Sequence, residues 1–321
     1  MSRLGELFPR ADLPSVRLGS SPTPVRQAVG LGPEVWIKDD GAFGDGAWGG
    51  NKVRKLEWII PEAHRRGRST LLTVGGIGTH WGLAAALYGA DHGLRTVLGL
   101  VDQPVDDHVR DQLRRLEASG ALIHRYRSVA RLKLAAPWLL LRYSQRGHLP
   151  YYLPAGGSSP VGTLGYVEAA LEIADQVAAG ELPEPATIVT AVGSGGTAAG
   201  LALGLRLAGL STRVLGIVVN DAFRLDAVTV AGLANETVEL LRDRGAEVDL
   251  RLTADDLDTT AEWMGQTYGA PTPEGQAALG RAADLGLELE PVYTAKAVAA
   301  VLGTADRLDR PVLLLGTHGP R

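Results

Sequence analysis

A lysine follows Gly-Gly-Asn at position 52, inside GGNKVRKLE (49–57), where a loop becomes a helical pattern. A lysine at a helix start faces the positive end of the helix dipole, so solvation alone is a weak reason to place it there. Its amine can instead condense with an aldehyde, provided a neighbouring loop holds the rest of the ligand. AVGSGGTAAG (191–200) is a loop of that kind. It ends an apolar run and opens an Ala/Leu helix. Gly193, Ser194, Gly195, Gly196 and Thr197 carry little bulk, so their N–H groups can converge on an anion at a helix end. Thr197 offers a helix cap and a hydroxyl. The alternative is a tight strand–helix turn whose glycines serve packing. GxxxxGK[ST] is absent and no GxGxxG opens the first strand–helix unit, so a small phosphate ester suits the loop better than a nucleotide.

An aldehyde that also carries a phosphate describes pyridoxal 5′-phosphate, with Lys52 as its Schiff-base partner. A sugar-phosphate or nucleotide module using GSGGT is the other reading of the same loop. Arg54 and Lys55 lie one turn beyond Lys52 and face either the phosphate or water. VGGIGTHWG (74–82) is a second glycine-rich turn. Gly75, Gly76 and Gly78 leave room for a ligand, and Thr79 and His80 can point into a cleft; capping by Thr79 and a half-buried His80 is the alternative. Asp39 and Asp40 have no histidine or third carboxylate at ligand spacing, so they read as a solvated turn and no metal is expected. ADDLD (254–258) reads as an acidic helix start. His318, in GTHGP (316–320), either approaches the cofactor ring or belongs to a frayed tail. His108, His124 and His148 receive no role.

These residues need a frame. The chain has 321 residues, 45% hydrophobic and 21% charged, which allows one large or two intimately packed domains. A net charge of −4 without a basic stripe gives no reason to expect nucleic acid. There are no cysteines, so disulfides and thiolate chemistry are excluded. The N-terminal MSRLGELFPRADLPS lacks the apolar core of a signal peptide, and AAPWLLL (135–141) is too short to cross a bilayer. A cytoplasmic protein without membrane partners is expected. STLLTV (69–74), RTVLGLV (95–101), ALIHRY (121–126), ATIVTAV (186–192), RVLGIVV (213–219) and PVLLLG (311–316) alternate with helical patterns. Nearly continuous apolar strands between helices predict parallel sheets covered on both faces. They fall in two blocks, about 69–146 and 186–316, joined by LPAGGSSPVG (153–162). The expectation is an α/β protein of two such units with a cleft between them.

Four motifs, GGNKVRKLE (49–57), GSGGTAAG (193–200), YGAPTPEG (268–275) and EPVYTAKA (290–297), occur in that order. Together they resemble the pyridoxal-phosphate family of D-cysteine desulfhydrase and 1-aminocyclopropane-1-carboxylate (ACC) deaminase, from about residue 15 onward. The resemblance implies the tryptophan-synthase-β-like fold, two domains of three-layer αβα parallel-sheet units. Residues 1–51 and 160–321 would form the large cofactor-binding domain and 52–159 the small substrate-side domain. It implies that Lys52 forms the Schiff base, with Asn51 beside it. Gly193 to Thr197 would be the phosphate cup, helped by Lys55. Tyr293 would be an active-site tyrosine, Tyr268 a second one closing over the substrate, and Thr294 the partner of the pyridine nitrogen. A hydroxyl there matches the desulfhydrase side; the deaminase side carries glutamate. A hydroxyl supplies no fixed negative charge to hold that nitrogen protonated, which suits β-elimination. The implied reaction turns a small β-substituted amino acid into a keto acid and ammonia, the proton leaving to Lys52 or to a Thr79 or Tyr293 oxygen. Ring opening, β-replacement, racemisation and cofactor binding without catalysis are the alternatives. A homodimer is implied. One departure stands out: where the family has Ser-Asn, this chain has Thr79-His80-Trp81. Thr79 keeps a hydroxyl, His80 takes the place of an asparagine beside the cofactor's 3′-oxygen, and Trp81 adds bulk beside the cleft.

Overall fold

The computed structural model describes residues 2–45, 49–105, 107–304 and 307–319, without the side chain of His108. Residues 46–48, in the loop before Lys52, and Pro320 of GTHGP lie outside the described residues.

In chain order the elements are α1 (Arg3–Leu7), β1 (Val25–Gln27), β2 (Val35–Asp39), α2 (Asn51–Arg65), β3 (Thr70–Gly76) and α3 (His80–Asp91). Then follow β4 (Arg95–Val101), α4 (Asp107–Ala118), β5 (Leu122–Tyr126), α5 (Val129–Arg142), β6 (Tyr151–Leu153) and α6 (Pro160–Ala178). The chain continues with β7 (Thr187–Val192), α7 (Gly196–Leu207), β8 (Arg213–Val218), α8 (Ala227–Asp243) and β9 (Leu257–Thr260). It closes with α9 (Pro273–Asp284), α10 (Thr294–Gly303) and β10 (Val312–Gly316).

Two sheets result. One has the order β1-β2-β10-β7-β8-β9, the other β5-β4-β3-β6. Among the described residues, β1–β2 is the one antiparallel pairing between these strands; the rest are parallel. All six residues of β7 are buried, as a central parallel strand covered on both faces requires. The six apolar runs expected as strands are strands. Four further ones, β1, β2, β6 and β9, did not stand out in the sequence. β2 reads VWIKD, yet Lys38 is fully buried because its ammonium donates to Glu172 and Gln176, each at 2.6 Å. The acidic stretch at 254–258 starts no α-helix. Thr253 caps a short 3-10 turn, and Leu257 then enters β9 to pair with β8.

Helix α6 is buried along most of its length. α7 crosses it closely: a Cβ on Gly200 or Gly204 would fall 2.6 Å from a backbone carbonyl of α6. α2 packs on the same helix, where a Cβ on Gly165 would meet the Arg54 carbonyl at 2.2 Å. The two helices that follow Gly-Gly-Asn and Gly-Ser-Gly are therefore held on one rigid support.

A buried ionic cluster locks that support and corrects two expectations. Asp40 is no solvated turn; it is fully buried and pairs with Arg54 at 2.7 Å, and Tyr166 donates to it as well. Arg54 faces neither a phosphate nor water. Its guanidinium reaches Asp40 and Glu172 and lies 4.1 Å from the centre of the Phe43 ring. These carboxylates hold the guanidinium charged despite its burial, and Glu172 is held down at about 2 by Arg54 and Lys38 against its own burial. A buried charge is tolerated only when paired in this way.

Candidate active site

The start of α2 explains the Gly-Gly pair. Gly50 caps the helix at φ +93°, a backbone conformation that favours glycine. Its N–H donates to the Phe43 carbonyl, and that of Gly49 to the Gly319 carbonyl. A Cβ on Gly49 would lie 2.8 Å from the Gly41 carbonyl oxygen, and one on Gly50 2.8 Å from that of Thr317. The helix start is thus clamped between residues 41–43 and the chain that leaves β10. Lys52 is carried on the first turn and emerges into a cavity of about 620 Å³ walled by both sheets. Its Nζ stands 5.4 Å from the centre of the Tyr293 ring.

The surrounding protein lowers the Lys52 pKa to about 8. Enclosure disfavours the ammonium, and the Glu290 carboxylate partly offsets this. Lys55, one turn on, drops to about 7, through burial first and the charge of Lys52 second. Its Nζ donates to the Gly156 carbonyl at 2.9 Å and to Ser158 Oγ at 3.3 Å. Of the two cations left open after Lys52, Lys55 turns to the glycine loop and Arg54 turns away.

That loop joins β7 to α7. Gly195, at φ +89°, is the cap, so no side chain of α7 satisfies its first N–H groups. Thr197 lies inside the helix and does not cap it; its Oγ1 is 3.5 Å from Asn51 Nδ2. The hydroxyl that reaches the helix end comes from elsewhere: Ser158 Oγ accepts from Gly196 N at 3.0 Å and lies 2.8 Å from Ser194 Oγ. Gly193 passes under Tyr293, where a Cβ would meet the ring at 2.7 Å.

On the opposite wall, Thr79 caps α3 and accepts from Gly82 N at 3.1 Å. His80 opens the helix, and its ring stands edge-on to that of His318, 6.2 Å between centres. His318 therefore belongs to the cavity wall and not to a loose tail. Trp81 touches the cavity but is 97% covered; its Nε1 donates to Thr73 Oγ1 at 2.8 Å and its ring fills the space above Gly157. It is wall, not an obstacle projecting into the space.

Tyr268 and Tyr293 close the remaining side, their hydroxyls 2.9 Å apart. Burial pushes Tyr293 well above the ordinary phenol value and raises Tyr268, so both remain neutral. The Tyr268 loop is tied down by Asp221, which accepts from Thr267 Oγ1 and Tyr268 N at 2.8 and 3.1 Å.

The cavity thus gathers Lys52, Asn51, Lys55, Thr79, His80, Gly193, Ser194, Gly195, Thr197, Tyr268 and Tyr293. Gly196 and Thr294 sit one layer behind its surface. The Thr294 hydroxyl is turned to Glu290, accepting its N–H at 2.9 Å and reaching its Oε1 at 3.2 Å. Two functional residues had not been singled out from the sequence: Glu290 on the wall, and Ser158 just behind it, where it meets Gly196 N and Lys55 Nζ. Ser158 stands in LPAGGSSPVG, read only as a connection. Glu290 begins EPVYTAKA, and its carboxylate lines the cavity while accepting the N–H groups of Val292, Tyr293 and Thr294.

A phosphate-bearing aldehyde fits this donor set. A cradle of glycines lies at an open helix end, two lysines of lowered pKa flank it, and Asn51 Oδ1 is buried at the wall without a partner among the described residues. Among the described residues no group of three or more His, Asp or Glu could hold a metal ion, and no helix is long and apolar enough to cross a membrane.

Comparison with known proteins points the same way. A family model described as pyridoxal-phosphate dependent enzyme matches residues 16–317. D-cysteine desulfhydrases of Salmonella choleraesuis (strain SC-B67) and Klebsiella pneumoniae (strain 342) are each 33% identical, covering 95% of this chain and 94% of theirs. Among solved structures, an ACC deaminase homologue superposes with a TM-score of 0.82 at 30% identity, over 95% of this chain and 92% of that one. A fungal L-serine ammonia-lyase from Rhizomucor miehei shares the fold at a TM-score of 0.63 and 16% identity, over 95% of each chain.

Proposed function

Because the chain belongs to the pyridoxal-phosphate-dependent enzymes, we propose that it is a lyase that removes the β-substituent of a small amino acid, releasing a keto acid and ammonia. The observation that carries this is Lys52: an amine whose pKa enclosure lowers to about 8, in a cavity that also holds an open helix end. Relatives named D-cysteine desulfhydrase support elimination as the reaction.

In this reading Lys52 holds the cofactor aldehyde, and the 193–197 loop with Ser158, Asn51 and Lys55 holds its phosphate. Bound there, pyridoxal phosphate supplies an electron sink that makes the substrate's α-proton removable. Lys52 Nζ accepts that proton, since a pKa near 8 keeps part of the amine neutral at physiological pH. Tyr293 is a neutral phenol and Thr79 is engaged as a helix cap, so neither serves as the base. The N-terminus of α3 receives the substrate carboxylate. Tyr268 and Tyr293 donate hydroxyl hydrogen bonds and keep water from that side. His80 would stand beside the cofactor's ring oxygen, where an imidazole N–H would donate one hydrogen bond. Thr294 holds Glu290 in place, and its hydroxyl would have to turn from Glu290 to meet the ring nitrogen.

We assign residues 1–51 and 160–321 to a large cofactor-binding domain and 52–159 to a small one, with the strands of each sheet as support. α2 is their seam: His64 near its end reaches the His92 carbonyl at the end of α3, while its first turns rest on α6. A cytoplasmic homodimer is the state that the resemblance implies, and sedimentation of the purified holoenzyme tests the assembly. Ring opening of ACC is a second reading, favoured by the solved ACC deaminase homologue. The deciding experiment measures keto acid and ammonia released from D- and L-cysteine, both β-chloroalanines and ACC. Release from a β-substituted substrate supports elimination, release from ACC alone replaces it with ring opening, and release from none overturns both.

A further inference from the structure

The cavity is larger than the chemistry around Lys52 requires. Its polar end is the set described above. A second end runs beneath α5 and uses none of those residues. Its floor is Val74 and Val101 on β3 and β4 and its roof Ala136 and Leu140 on α5, while Leu72 and Leu139, packed in one buried cluster with Leu132, close its inner end. The roof is anchored where Leu132 rests on Gly99, a position whose Cβ would lie 2.6 Å from Leu132 Cδ1. Small Ala136 leaves the space open. At the mouth stand Val129, Tyr152 and Phe223, which line the cavity yet keep 53%, 52% and 46% of their surface exposed. They are exposed because they border an opening, not as scattered surface residues. The polar neighbours are engaged or solvated: Asp102 pairs with Arg125 at 3.3 Å, Gln103 Oε1 accepts from Gly78 N at 3.5 Å, and Lys133 is exposed at the rim.

An arm walled this way rewards apolar surface and gives a bare thiol or a chloride nothing to fill. We propose that it receives the β-substituent of the substrate, so that the preferred substrates are amino acids carrying an alkyl or aryl thioether at Cβ. This rests on the elimination reading above. The Cα–H proton passes to Lys52, the Cβ–S bond breaks with its electron pair staying on sulfur, and the thiolate takes up a proton. Water then completes the products: a thiol, a keto acid and ammonia. Sulfur suits this arm because a thiolate, whose conjugate acid has a pKa of about 8.5, leaves without a positioned acid beside it.

The test compares kcat/KM of the holoenzyme for S-benzyl-cysteine with that for cysteine of the same chirality, in both enantiomeric series. Calorimetry in parallel measures binding of benzyl methyl sulfide, which carries the arm without the amino acid. The S-benzyl substrate is expected to lead by at least about tenfold, the scale of filling or emptying such a pocket. Ala136→Trp, which fills the arm, and Leu140→Asn, which makes its roof polar, are each expected to lower that ratio at least about tenfold and to abolish sulfide binding. Two variants of opposite kind keep the test valid if one of them fails to fold. A preference for cysteine, unchanged in the variants, with no sulfide binding, overturns the arm proposal and leaves elimination standing. Sulfide binding that the variants abolish, with no amino acid turned over, supports the arm and overturns elimination.

Discussion

The turn at 193–197 ends β7 and starts α7; the turn at 75–79 ends β3 and starts α3. Both are glycine-rich and both border the same cavity. They differ in what covers the helix end. α3 carries its own cap, since Thr79 Oγ1 accepts from Gly82 N. α7 has glycine at its cap and borrows a hydroxyl from Ser158, 38 residues away along the chain. Each hydroxyl accepts one N–H, but Ser158 comes from another segment and stands beside Lys55 and Ser194, so further donors gather at the end of α7 that α3 lacks. The first turn is therefore suited to a phosphate bearing most of its charge, the second to a single carboxylate. Similar local sequence gives different seats because the caps differ.

The largest effect comes from removing the amine that faces both seats. Lys52→Ala is expected to lower keto-acid release at least about a thousandfold, the scale of a lost proton-transferring group, with the circular dichroism spectrum unchanged. Turnover that survives would move the chemistry away from both turns.

The next pair sharpens the contrast directly. Ser158→Ala is expected to weaken pyridoxal phosphate binding about tenfold, as one lost hydrogen bond to a charged group does, in absorbance titrations of the apoprotein. Substrate KM should hardly move. Thr79→Val should do the reverse, raising KM at constant cofactor affinity, and should cost about 1 kcal/mol of stability from the lost cap. If each substitution shifts both constants alike, the two turns are one site and the distinction fails.

The smallest effect is a shift in pH. Only the neutral amine captures an aldehyde, so the rate of cofactor capture by the apoprotein should rise with pH through about 8. The Glu290 charge favours the ammonium form of Lys52, so Glu290→Gln should move that rise to lower pH. An unmoved profile would show that Glu290 serves only the start of α10.

Much of this was legible in the chain. Gly-Gly-Asn-Lys and Gly-Ser-Gly-Gly-Thr record local demands, a positive φ at a cap and a bulk-free helix end, and such demands leave a local signature. The six long strands were legible for a similar reason, as continuous apolar runs. β2 was not, because Lys38 and Asp39 mask a strand whose lysine is neutralised from α6. Asp40 looked solvated and Arg54 was left open between phosphate and water, because their partners come from elements more than ten and more than a hundred positions away. Ser158 and Glu290 carried only weak local signals, a Ser-Ser pair in a glycine-rich connection and an acid four residues before Thr294.

What the sequence by itself determined is therefore the local frame of the chemistry: an amine at a helix start, a bulk-free helix end after a strand, and two parallel-sheet units to carry them. Only the tertiary structure decided which cation turns to the loop, which hydroxyl meets the open helix end, and that an apolar arm runs on beneath α5. The physical reason is one of range. Backbone dihedrals, caps and burial periodicity are set within a few residues. The pairing of a buried charge or the shape of a cavity is set by surfaces that meet only after the chain has packed.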